Sequence, residues 1–136
     1  MIRSDFRALL LRSDDKDCRL PVKVRAEYDE ADPMAVELIF AHDLPVSSSW
    51  KVSYELLERA LKQETSVGQG DVKFRQDSAQ GRLYVCVRSK TGHADVALPL
   101  GFVKEFMAQT EDDYIRAQDI LPKQIDEALE AILGAS

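Results

Sequence analysis

Val22-Lys23-Val24-Arg25-Ala26-Glu27-Tyr28, Asp29-Glu30-Ala31-Asp32-Pro33 and Met34-Ala35-Val36-Glu37-Leu38-Ile39-Phe40 run consecutively, and this stretch decides the fold. In its first third, Val22, Val24, Ala26 and Tyr28 alternate with Lys23, Arg25 and Glu27. That is the period of a strand with one face in the core and one in water. Val36, Leu38 and Phe40 repeat the period after the break. Between the two, Asp29 and Asp32 can accept backbone N–H groups and Pro33 pre-sets φ, so the segment reads as a tight connection. Working outward, Phe6, Ala8 and Leu10 share one face of an earlier strand that ends at the polar run from Ser13 to Asp17. Three strands joined by short polar turns form an antiparallel meander.

The period changes in the middle of the chain. Trp50 to Val52 fits a short strand, and Ser53 then fits a helix N-cap, with Glu55 in the first turn favoured by the helix dipole. Leu56, Leu57, Ala60 and Leu61 line one helical stripe, which must end before Gly68 and Gly70. A second meander follows, from Val72 and Phe74 through Leu83, Val85 and Val87 to Ala94, Val96 and Leu98. Its last hairpin is placed at Thr91-Gly92. Val103, Phe106 and Met107 form a helical stripe. Pro122 suits the first turn of a further helix, in which Ile125, Ala128, Leu129, Ile132 and Leu133 keep the i, i+3, i+4 spacing. An amphipathic terminal helix of this kind must dock on its own sheet or on a neighbouring subunit. The expected class is α+β: two antiparallel sheets built as meanders, a helix between them and C-terminal helices, in one domain spanning residues 1–136.

Composition narrows the function. The 136 residues are 45% hydrophobic and 31% charged, a globular balance. The apolar runs fall short of the roughly 20 residues that span a bilayer. Ala8 to Leu11 is also too short for a signal-peptide core, so a cytoplasmic location is expected. Cys18 and Cys86 make neither a disulfide framework nor a four-thiolate zinc site. The formal net charge of −6 opposes binding to a phosphate backbone. Charge is polarised, with cations concentrated in residues 1–25 and carboxylates in residues 105–130, a distribution suited to contacts between proteins.

Catalytic patterns fail on context. Ser13-Asp14-Asp15-Lys16 and Lys90-Thr91-Gly92 match two motifs of penicillin-binding enzymes, but the chain has no asparagine for the motif that stands between them. Gly68-Gln69-Gly70-Asp71 precedes a strand, whereas a phosphate loop opens a helix. His42 and His93 lack partners at ligand spacing. Asp14, Asp15 and Asp17 lack the glycine and glutamate of a calcium loop. No catalytic residue, cofactor or metal site is expected.

The ordered motifs carry a family resemblance. Tyr28-Asp29, Asp32-Pro33 and Ala35-Val36 form a Tyr-Asp-x-x-Asp-Pro-x-Ala-Val run, preceded by Leu20-Pro21-Val22. Trp50 with Leu56-Leu57, then Gly68, Gly70, Asp71 and Val72, then Ser89, Gly92 and Ala94, and finally Phe106 and Thr110 continue the match in order. The set resembles the SsgA-like proteins of sporulating actinobacteria, closest to the SsgB branch. Where many members carry Arg-Asp before the Leu-Leu pair, this chain has Tyr54-Glu55. Where many carry Arg before the final threonine, it has Gln109.

The resemblance implies a non-enzymatic regulator of sporulation-specific cell division. Such a protein marks septum sites and recruits the tubulin-like protein FtsZ together with SsgA. It also implies a whirly-like topology and a homotrimer. Tyr28, Asp29, Asp32, Pro33, Gly68, Gly70 and Asp71 are then signature residues of structural turns. Trp50, Tyr54, Glu55, Gln109, Ile125 and Leu129 are candidates for protein contact. The alternative drawn from the implied fold is a binder of single-stranded nucleic acid, with Tyr28, Phe40, Phe74 or Tyr84 as stacking platforms.

Overall fold

Strand alternation decides where each side chain goes. The computed structural model describes residues 1–11, 19–45, 47–90 and 92–134. β1 (Ile2–Leu11) pairs antiparallel with β2 (Arg19–Tyr28) along its whole length, Leu11 facing Arg19 and Ile2 facing Tyr28. β3 (Ala35–Phe40) pairs with β2, and β4 (Ser48–Ser53) with β3. Val24, Ala26, Tyr28, Val36 and Leu38 are buried while Arg25 and Glu27 face outward, as the alternation requires. Outward charges meet across strands: Arg25 holds Asp5 with Nε 2.7 Å from Oδ1, and Arg3 Nε lies 3.1 Å from Glu27 Oε1. Both pairs are direct register partners.

α1 (Tyr54–Lys62) begins at Ser53, whose hydroxyl accepts the Leu56 N–H at 3.3 Å. The cap, Glu55 in the first turn and the stop before Gly68 agree with the sequence. β5 (Val67–Gln69), β6 (Val72–Asp77), β7 (Arg82–Ser89) and β8 (Gly92–Pro99) form the second meander. α1 packs against β4, β5 and β6, and the first half of α2 (Leu100–Gly134) against β1, β7 and β8. Leu56, Leu57, Val103 and Phe106 thereby close one core with the inner face of the sheet. Each such large side chain contributes roughly 1.5–3 kcal/mol on full burial.

Three expectations need correction. The meanders are not two sheets but one eight-stranded sheet in the order β4-β3-β2-β1-β8-β7-β6-β5. The join is three register pairs, Leu9 to Leu11 against Ala97 to Asp95, which satisfy edges that two separate sheets would leave unpaired. The C-terminal helices are one 35-residue helix, with Pro122 inside it and not in a first turn. The proline removes the hydrogen bond to the Gln118 carbonyl and its ring crowds that group, but both residues are exposed, so water can take the carbonyl. The last hairpin is closed by Ser89 facing Gly92, so this glycine opens β8 and is not a loop residue. Thr91, the run from Ser13 to Asp17 and Cys18 lie outside the described residues.

Candidate functional site

The Tyr28–Val36 connection is built as a fastening between strands. Asp29 accepts twice: its backbone carbonyl takes the Asp32 N–H at 2.9 Å and its carboxylate the Ala31 N–H at 3.0 Å. Asp32 departs from expectation. Its carboxylate reaches across to Lys51 Nζ on β4 at 3.0 Å, and only its backbone carbonyl accepts within the turn, from Ala35. The Met34 carbonyl accepts the Tyr54 N–H at 2.9 Å, so the connection also pins the start of α1. Pro33 is half-buried beside these contacts. The second signature turn is the two-residue loop Gly70-Asp71 between Gln69 and Val72. Gly70 has φ +62°, a region costly for any side chain. A Cβ on Gly68 would stand 2.7 Å from Lys73 Cγ and 3.1 Å from the Val72 carbonyl oxygen, so only glycine fits that strand.

Behind the first turn lies an aromatic cluster that the sequence reading missed. Tyr54 stacks on Tyr114 with ring centroids 3.7 Å apart, and Tyr28 meets Tyr54 edge-on at 5.7 Å. Thr110 donates its hydroxyl proton to the Met107 carbonyl at 2.8 Å. With that proton committed, the Tyr54 hydroxyl must donate to Thr110 Oγ1, 2.9 Å away. Val103, Met107, Thr110 and Tyr114 continue one helical stripe, the signal that would have extended the core to Tyr114. Tyr54, a candidate for protein contact, is only 2% exposed and serves the core.

The Tyr28 hydroxyl is buried without a hydrogen-bond partner among the described residues. Burial, then the neighbouring Tyr54 hydroxyl and the Asp113 carboxylate, push its pKa up to about 12. Unfolded, it ionises near pH 10, so the unfolded chain alone loses a proton between these values and stability falls as pH rises from 10 through 12. Tyr28→Phe should leave the stability at neutral pH equal or slightly higher, because the lost hydroxyl is unpaired. It should also flatten the alkaline decline, read by denaturant midpoints at successive pH values. An unchanged slope would place the responsible ionisation elsewhere.

The remaining candidates do not converge on one catalytic centre. His42 Nε2 lies 3.9 Å from Asp5 Oδ1, whose pKa is held down chiefly by its hydrogen bond to Arg25. His93 lies 3.8 Å from Asp95. Among the described residues no three metal-ligating side chains cluster. Trp50 is half-buried against the core on edge strand β4, donating to Ser48 Oγ at 2.9 Å. Glu55 and Gln109 are exposed on different helices. Ile125 and Leu129 are 58% and 50% exposed, and with Ile132 and Leu133 they form an apolar stripe on α2 that touches no core. From Pro122 to Gly134 every residue is exposed. At 1.5 Å per residue, α2 beyond Tyr114 projects about 30 Å. No helix of the described residues is long and apolar enough to cross a membrane.

Residues 22–116 match the family model described as Streptomyces sporulation and cell division protein, SsgA. The chain is 29% identical over 119 residues to the sporulation-specific cell division protein SsgB of Streptomyces coelicolor, covering 86% of this chain and 85% of that one. It is 36% identical over 83 residues to a sporulation-specific cell division protein of Frankia casuarinae, covering 60% of this chain and 55% of that one. The Streptomyces coelicolor SsgB structure, solved in connection with mutations that correlate to longitudinal cell division during sporulation, superposes with TM-score 0.71 at 25% identity. That match covers 82% of this chain and 86% of the other. An SsgA-like sporulation-specific cell division protein from Thermobifida fusca shares the fold, with TM-score 0.70 at 21% identity, over 90% of this chain and 94% of that one.

Proposed function

The chain belongs to the SsgA family of sporulation and cell division proteins, and from that premise we propose that it is a non-enzymatic regulator of sporulation-specific division. In this reading it sits in the cytoplasm at the division septum, marks the septum site and recruits FtsZ together with an SsgA-like partner. It acts as a homo-oligomer, a trimer, with a whirly-like arrangement of its sheet as the family resemblance implies. It takes no cofactor or metal. The observation that carries the reading is the solvent-exposed apolar stripe Ile125, Leu129 and Ile132 on the projecting half of α2. Contiguous exposed apolar surface of this kind marks a contact between proteins. Here it is assigned to the contact between copies of the chain, which leaves the signature turns as rigid supports.

A fluorescent fusion in the native host tests the location. Foci should form at future septa before constriction, and even fluorescence throughout sporulating cells would overturn the proposal. The second reading, a binder of single-stranded nucleic acid, is favoured by one observation. Tyr84 lies on the outer face of the sheet with the Arg75 guanidinium 4.7 Å from its ring centroid. Tyr28, Phe40 and Phe74, the other proposed platforms, are buried in the core and cannot stack on bases.

A further inference from the structure

The face of the sheet opposite the helices carries a groove whose charge contradicts that of the molecule. Net charge is −6, yet the groove, about 730 Å³ in volume, is lined by Arg19, Lys73, Arg75 and Arg82, with Asp95 as its one carboxylate among the described residues. Strand register explains the arrangement. One row across the sheet runs Lys73, Cys86, Asp95, Leu11 and Arg19 on five adjacent strands. The next row runs Arg75, Tyr84, Ala97 and Leu9.

The first row is therefore cationic at both ends and the second at its β6 end, with Tyr84, Cys86 and Asp95 between them. At about 4.8 Å per strand, Lys73 and Arg19 stand roughly 19 Å apart, and Lys73 and Arg75 about 7 Å apart along β6. The one floor carboxylate already faces His93 at 3.8 Å. Arg19, Lys73 and Arg82 have no acidic partner among the described residues. Exposed cations held on rigid strands without counter-charges are pre-placed for an anionic ligand.

The spacing selects the ligand. A single phosphate cannot touch cations so far apart, whereas an extended chain with several carboxylates can. Nucleic acid is the weaker fit. This face offers one aromatic ring, Tyr84, already covered by Arg75, and successive bases need several. A long polyanion leaving the groove would also meet a surface that is acidic elsewhere, notably the carboxylate-rich α2. We infer that the outer groove of the sheet is a docking site for a short, extended, acidic segment of a partner protein, its carboxylates paired with Arg19, Lys73, Arg75 and Arg82. This site lies on the opposite face from α1 and α2 and stands whether or not the partner is FtsZ.

Fluorescence anisotropy with the full chain and a labelled oligoglutamate peptide tests it. Binding should be measurable at low salt and weaken as salt rises, because exposed charges are screened. Lys73→Gln with Arg75→Gln should weaken it by about tenfold, and the added Arg82→Gln further, as expected for lost charge complementarity. The control Lys104→Gln with Lys123→Gln, on α2, should leave the affinity within about twofold, since surface charges far from the groove add little. Each variant is checked for an unchanged thermal midpoint. Where the double variant fails that check, Tyr84→Glu, which places a carboxylate on the floor, is read instead and should weaken binding likewise. The inference is overturned by no binding of the peptide, by equal losses in the groove and control variants, or by tighter binding of a single-stranded oligothymidine of matching charge.

Discussion

Tyr54→Ala should destabilise the protein by about 3–5 kcal/mol, the range for removing a large buried aromatic side chain. Tyr54 is the point where four elements meet. Its ring stacks on Tyr114 of α2, takes the edge of Tyr28 at the end of β2, and donates to Thr110 one turn before Tyr114. Its own N–H is held by the Met34 carbonyl of the signature turn. Truncation leaves a cavity between α1, α2 and β2 and strands two aromatic partners. In a chain of this length a loss of that size should lower the thermal midpoint by roughly 10 °C or more.

Tyr54→Phe separates packing from hydrogen bonding. Thr110 keeps its bond to Met107, so only the Tyr54 donation is lost, and about 1 kcal/mol is expected. Urea unfolding of the two variants reads both numbers. A Tyr54→Ala cost no larger than that of Tyr54→Phe would mean that the ring is not in the core.

The second large effect is on assembly and leaves the fold intact. Ile125→Asp combined with Leu129→Asp should convert the proposed oligomer to monomer, read by light scattering after size exclusion at micromolar concentration. Both side chains lie on the exposed half of α2, so the change in stability should stay near the ±0.5 kcal/mol of ordinary surface substitutions, plus a few tenths for helix propensity. Two carboxylates added to an interface that must exclude water disfavour association by leaving charge buried and unpaired. An unchanged elution position, or a parent protein that is itself monomeric, would remove the stripe from the account.

The strand alternation from Val22 to Phe40 was legible because burial of one face imposes period two on neighbouring residues. The Ser53 cap and the Gly70-Asp71 turn were legible for a similar reason, since each is decided within a few residues. What escaped reading depends on contacts between distant parts of the chain. The pairing of Leu9–Leu11 with Asp95–Ala97 turns two meanders into one sheet, and neither segment announces the other. Pro122 is a helix-start signal locally, yet the stripe on either side of it continues through. Tyr54 stood out as a departure from the family pattern and so looked like a surface residue, whereas its partners Tyr28 and Tyr114 come from 26 residues before it and 60 after it. The basic groove was invisible for the same reason, because its cations come from alternate positions of separate strands.

In the proposed function this protein acts by binding the division machinery and not by turning over a substrate. Co-sedimentation with assembled FtsZ tests that most directly, across a salt series and beside the Ile125→Asp, Leu129→Asp variant. The chain should be enriched in the pellet with polymers and remain in the supernatant without them, and the monomeric variant should pellet less because it lacks multivalent attachment. No enrichment of the parent chain at any salt concentration would contradict the account.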